Sequence, residues 1–134
     1  MRAVLDTNVL FAGLATAGVC AKLLLRARRG DFGLVICPEI RRELAEALRG
    51  KLKAAPREVR DALALVDEAV AESFTPGGDV RGVCRDPDDD HVLDCLAASG
   101  AAYLVTGDAD LRVIKEFKGA KILSPREFEL LFGD

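Results

Sequence analysis

Carboxylates are the residues of this sequence best placed to do chemistry. Asp6 closes a short apolar run, Arg2-Ala-Val-Leu-Asp6, and Asp108 follows a second one, Ala102-Tyr-Leu-Val-Thr106. Asp90 opens the helical stretch before that second run, and Asp94 lies one turn later on the same face. Glu43 falls about one and a half turns into a helix that begins at Pro38, on a side shared with Ile40 and Leu44 that is too apolar for a purely solvated charge. Taken singly, each acid reads as a helix cap or a solvated charge; Asp88, Asp89 and Asp90 stand where Asp favours a helix start anyway. Gathered at one edge of a sheet they would repel, two charges about 4 Å apart costing roughly 4 kcal/mol at an effective dielectric near 20. A hard divalent cation removes that cost, because Mg²⁺ and Mn²⁺ prefer oxygen ligands. Such ions activate water and stabilise a leaving oxygen in phosphodiester cleavage.

The elements that must position these acids alternate between strand and helix. The strands are Arg2–Asp6, Gly33–Cys37, Ala102–Thr106 and Ala120–Leu123, with a further short extended piece over Val80–Cys84. Helical periodicity covers residues 19–29, and a second helix starts at Pro38 with Ile40, Leu44, Ala47 and Leu48 on one face. A third runs from Pro56 to about Glu72 with Val59, Leu63, Val66 and Val70 apolar, and a fourth spans about 88–99, ended by Gly100. A short helix or turn covers Asp108–Ile114, and Ser124-Pro125 opens the last helix as cap and first residue. Alternation of strands with helices predicts an α/β fold with a parallel sheet and right-handed crossovers. In such sheets ligands bind beyond the carboxyl ends of the strands, which is where Asp6 and Asp108 fall.

The chain has 134 residues, 50% hydrophobic and 31% charged, enough to build one core and too apolar for intrinsic disorder. A single domain over residues 1–134 is expected. No apolar run reaches the roughly 18–20 residues of a membrane span. The opening residues lack the apolar stretch and cleavage site of a signal peptide, so a soluble cytoplasmic protein is expected. The net charge of −3 argues weakly against a non-specific nucleic-acid coat. It conceals a balance of +6 over residues 1–60 and −9 over residues 61–134. Cys20, Cys37, Cys84 and Cys95 form no C-x-x-C pair and sit among apolar residues, as buried thiols of a reducing compartment do. His91 is the only histidine, so chemistry here must rest mainly on carboxylates.

The ordered set of motifs resembles the PIN-domain nucleases. Val-Leu-Asp6-Thr7-Asn8-Val-Leu is similar to the opening of that family, and Pro38-Glu-Ile-Arg-Arg-Glu43-Leu to its second acidic motif. Asp86-Pro-Asp-Asp-Asp90-His-Val-Leu-Asp94 and Val-Thr106-Gly-Asp108-Ala-Asp110 resemble its third and fourth. The wording is closest to the toxins of toxin–antitoxin pairs akin to VapC. The resemblance implies a three-layer α/β/α architecture around a mainly parallel sheet of about four to five strands. It also implies an Mg²⁺- or Mn²⁺-dependent endoribonuclease, an antitoxin partner and a homodimer. Asp6, Glu43, Asp90 and Asp108 would be the metal-binding acids, with Asp94 and Asp110 as additional ligands or supporting groups. Asn8 and Thr106 would support them. Asp90 is preferred within a run that also holds Asp86, Asp88 and Asp89, because it falls the right distance before the Leu-x-x-x-Ala helix. His91 departs from the family, where an amide or small residue is common, and is expected to face solvent.

RNA phosphates would want a basic flank beside such a site. Arg26, Arg29, Arg41 and Arg42 are the first candidates for it, with Arg28, Arg49, Lys51 and Lys53 beside them. With no Trp and one Tyr, base stacking is not the main handle on RNA. Two other α/β classes fit less well. A haloacid-dehalogenase-like phosphatase needs Asp where Asn8 stands, and a receiver domain needs an acceptor Asp after the middle strand, where Pro38-Glu39 stands. A housekeeping RNA-processing nuclease and a non-catalytic binding module on the same fold are the remaining alternatives.

Overall fold

The computed structural model describes residues 1–77 and 90–133. The extended piece expected over Val80–Cys84, together with Asp86, Asp88 and Asp89, lies outside the described residues. In chain order the elements are β1 (Arg2–Leu5), α1 (Thr7–Ala15), α2 (Val19–Arg29), β2 (Gly33–Ile36), α3 (Pro38–Gly50), α4 (Pro56–Ala69) and β3 (Val70–Ser73). They continue with α5 (Asp90–Ser99), β4 (Tyr103–Val105), α6 (Ala109–Arg112), β5 (Glu116–Phe117), β6 (Ala120–Leu123), α7 (Pro125–Glu129) and a 3₁₀ turn at Leu130–Phe132.

Among the described residues six strands form one sheet in the order β3-β2-β1-β4-β6-β5. All pairs are parallel except β5 with β6. The apolar runs Ala3-Val-Leu5, Leu34-Val-Ile36 and Leu104-Val105 are buried, as central parallel strands covered on both faces must be. The chain steps outward from β1 through β2 to β3, then reverses to β4 and β6. Right-handed crossovers therefore put α1–α4 on one face and α5 on the other. The reversal lies between β1 and β4, and a crevice opens there beyond their carboxyl ends. No single described helix is long and apolar enough to cross a membrane.

The sheet exceeds the expected four to five strands, and both extra strands have a local reason. The apolar periodicity of α4 runs on through Val70, but Val70 pairs with Leu34 and leaves the helix to extend the sheet edge. Periodicity registers the buried face and not the sheet edge waiting beside it. At the other edge Glu116–Phe117 folds back on β6 through Lys118 (φ 49°) and Gly119 (φ 84°). Two successive left-handed residues make the mirror-image turn that fits a two-residue hairpin. Cys37 and Cys95 are buried free thiols and Cys20 is half-buried, while Cys84 lies outside the described residues. The Cys95 thiol hydrogen-bonds Cys37 and, with backbone N–H groups at the start of α3, draws the Cys37 pKa down to about 7.

Candidate active site

Beyond β1 and β4 lies a cleft of about 350 Å³. Asp6, Asn8, Glu43, Lys51, His91 and Asp108 are among the side chains that line it. Asp6 and Thr106 follow paired strand ends, so the register of β1 against β4 sets them side by side. Thr106 Oγ1 donates to Asp6 Oδ2 at 2.8 Å, and the Thr7 N–H donates to Asp6 Oδ1 at 2.8 Å, capping α1. Thr106 Oγ1 in turn accepts the Asp108 N–H at 3.0 Å. One fully buried hydroxyl thus ties the two strand-end acids together. Asp108 caps α6 by accepting the Asp110 N–H at 2.9 Å.

Glu43 reaches the same cleft from α3. Its Oε1 accepts the Thr7 hydroxyl at 3.0 Å and pairs with His91 Nε2 at 2.8 Å. His91 is therefore turned inward on Glu43, contrary to the expectation that it faces solvent. Burial raises the Asp6 pKa above its ordinary value; the Thr106 and Thr7 hydrogen bonds pull it down, and the charges of Glu43 and Asp108 push it up again. Asp6 is thus a carboxylate that a nearby cation would relieve.

Among the described residues no three Asp, Glu, His or Cys side chains stand close enough to form a ready-made metal cage. Asp6, Glu43 and Asp108 nevertheless offer hard oxygen donors around an open cleft, which fits a divalent cation that keeps much of its water. The other expected acids fall elsewhere. Asp90 is buried at the start of α5 and is not on the cleft lining. Asp94 lines a separate recess with Pro38, Glu39, Thr75, Pro76 and His91. Asp110 is half-buried behind the Asp108 cap.

The expected basic flank divides. Arg26 is not a surface residue: its side chain is 3% exposed, with Nη2 on Glu129 Oε1 at 2.7 Å and Nη1 on Asp31 at 3.1 Å. Its guanidinium also lies 4.5 Å from the Phe132 ring centroid. Helical spacing puts Lys22, Arg26 and Arg29 on one face, and α7 packs over it so that Glu129 neutralises the middle charge. Arg29 pairs with Asp31, Arg41 with Asp67 through two hydrogen bonds, and Arg42 with both Glu39 and Glu46. Sequence reasoning left out Thr7, which joins Asp6 to Glu43. The only available signal was its place between Asp6 and Asn8.

The PIN-domain family model matches residues 2–110. The chain belongs to the PIN-domain family. Its cleft residues Asp6, Glu43, His91 and Asp108 all lie within the matched PIN-domain span. No curated protein sequence matches the chain. Among solved structures, this PIN domain is similar to a chain in the crystal structure of VapBC2 from Rickettsia felis bound to a DNA fragment from their promoter. The TM-score is 0.64 at 16% identity, covering 92% of this chain and 98% of that one, and the likeness is one of fold. Membership in the PIN-domain family supports nuclease activity in general.

Proposed function

We propose that this PIN domain is a cytoplasmic Mg²⁺- or Mn²⁺-dependent endoribonuclease and the toxin of a toxin–antitoxin pair. The observation that carries the reading is the convergence of Asp6, Glu43 and Asp108 on one cleft at the reversal point of the sheet. Those three carboxylates would hold the cation. Asp90, one residue before the cleft-lining His91, is the proposed fourth acid, and Asn8 a supporting polar group. A bound divalent ion supplies Lewis acidity toward the phosphodiester and acidifies a coordinated water. The chain's own part is orientation. Thr7 and Thr106 hold the Asp6 oxygens, Thr7 and His91 hold Glu43, and the α6 cap holds Asp108. Likeness in fold to a chain of a VapBC complex supports the toxin reading, with an antitoxin and a second copy of this chain as partners.

The deciding experiment is cleavage of an unstructured RNA by the purified protein with Mg²⁺, Mn²⁺ or a chelator. Internal cuts that appear only with metal are expected; cuts that persist in chelator, or none under any condition, overturn the reading.

Two further outcomes follow from the geometry. Mn²⁺ at a hundred times its dissociation constant is expected to stabilise the fold by about 2.7 kcal/mol through mass action. Asp108→Asn is expected to lose part of that gain in thermal melts, and an undiminished gain removes Asp108 from the ligand set. Thr106→Val keeps the shape but deletes the hydroxyl that joins Asp6 to Asp108. Cleavage is expected to fall by about 10- to 100-fold, as for loss of a group that orients a metal ligand. Unchanged cleavage by Thr106→Val would show that the tie has no part in orientation.

A further inference from the structure

If the chain binds RNA as proposed above, the strand still needs a surface to follow outside the cleft. The arginines first expected to supply it are engaged with acids. A different set is not. Arg49, Lys53, Arg57 and Arg60 are exposed, and none of their side chains forms an ion pair or hydrogen bond with a described residue. They cluster where α3 ends and α4 begins. Over residues 49–60 there are five cations and a single acid, Glu58, whose carboxylate accepts the Ala55 N–H at the start of α4.

The fifth cation, Lys51, connects this cluster to the catalytic cleft. It lines the cleft with Asp6, Glu43 and Asp108, and its Nζ lies 5.5 Å from the Phe11 ring centroid. On the other side of α3, between it and α4, runs a groove of about 320 Å³ whose lining includes Arg41, Arg49, Pro56, Val59, Arg60 and Asp67. The Arg41–Asp67 pair bridges the two helices toward one end of the groove. Arg49 stands about 12 Å further along α3 by helical rise, beside the start of antiparallel α4.

Local stability does not account for these cations. Arg49 and Lys51 suit the negative end of the α3 dipole, but Arg57 sits in the first turn of α4, where a positive charge opposes the dipole. Lys53 has φ 52°, a left-handed conformation that Gly or Asn would adopt at less cost. At both positions a cation stands against the local backbone preference.

We propose that Lys51, Arg49, Lys53, Arg57 and Arg60 form a phosphate track that carries single-stranded RNA from the cleft around the end of α3 to the α3–α4 groove. Each phosphate neutralised releases counterions, so removing a contact flattens the salt dependence of binding by about 0.7 in log–log slope.

The test measures binding of a short, unstructured, fluorescent oligoribonucleotide across a salt series. Every protein carries Asp6→Asn so that the strand is not cut. Arg57→Ala with Arg60→Ala is expected to lower the slope by about 1.4 and weaken binding for every sequence tried. Arg42→Ala, which removes an arginine already paired with Glu39 and Glu46, is expected to change neither. The melting temperature of the double variant is expected to hold or rise, since Arg57 opposes the α4 dipole.

An unchanged slope in the double variant overturns the track. If wild-type protein still cuts RNA, that failure leaves the nuclease reading standing. No binding and no cutting overturns both. A poly-glutamate peptide supplies the last arm: if the double variant loses that peptide but keeps RNA, the surface takes an acidic protein segment and the track is overturned.

Discussion

Asp6→Asn is expected to cut metal-dependent RNA cleavage by about a hundredfold or more, the upper end of what losing even a supporting group costs a metal site. The same substitution is expected to raise the melting temperature of the metal-free protein. Burial lifts the Asp6 carboxyl above its ordinary pKa, so the folded state holds that proton more tightly than the unfolded chain. Stability from this group is therefore highest at low pH. It falls as pH rises from the unfolded value through the raised folded one, and the full penalty remains at neutral pH. Asn carries no charge and keeps an oxygen for the Thr7 N–H. Melts in chelator should show the variant above wild type at pH 7, with the gap closing toward pH 3. Saturating Mn²⁺ should reverse the order, because the amide is the poorer ligand. A variant that cleaves normally would remove Asp6 from the mechanism. One that melts below wild type in chelator would show that burying the Asp6 charge costs the fold nothing.

Arg26→Ala, away from the cleft, is expected to cost about 3 kcal/mol, the lower range for breaking a buried ion pair. The guanidinium makes three hydrogen bonds to Glu129 and one to Asp31, and stacks over Phe132. Two features keep the cost from going higher: Lys22 still reaches Glu129 at 3.2 Å, and Arg29 still holds Asp31 at 2.6 Å. For a domain of this size the melting temperature should drop by roughly 10 °C. Arg26 is the main reason the Glu129 carboxyl lies below its ordinary value. A depressed folded pKa adds stability above the unfolded value, and that contribution disappears as pH falls through the folded one. Wild type should accordingly lose stability on the acid side of pH 5 more steeply than Arg26→Ala. A loss of under 2 °C at pH 7 would mean that α7 docks without this pair, whose worth would then be that of an exposed one.

How far the sequence could be read depended on how far apart in the chain the deciding partners lie. Helix starts were legible at Pro38, Pro56 and Ser124-Pro125 because their signals are local. The end of α4 was not, because Val70 answers to a strand that begins at Gly33. Asp6, Glu43 and Asp108 could be singled out because strand ends in a parallel sheet face one side. Their bonding could not. The bridge from Thr106 to Asp6 spans 100 positions, and the inward turn of His91 onto Glu43 spans 48.

By itself, the sequence determined the α/β alternation, the family to which the motifs belong, and the carboxylates to consider. Each of these depends on residue type and short-range spacing, which a chain displays before it folds. Only the tertiary structure decided which charges are free. Arg26 and Arg57 look alike in a sequence, both basic residues on amphipathic helices. Packing placed Glu129, 103 positions away, against the first, while no described acid forms an ion pair with the second. An ion pair depends on where two distant segments meet, and that is settled when the helices dock on the sheet.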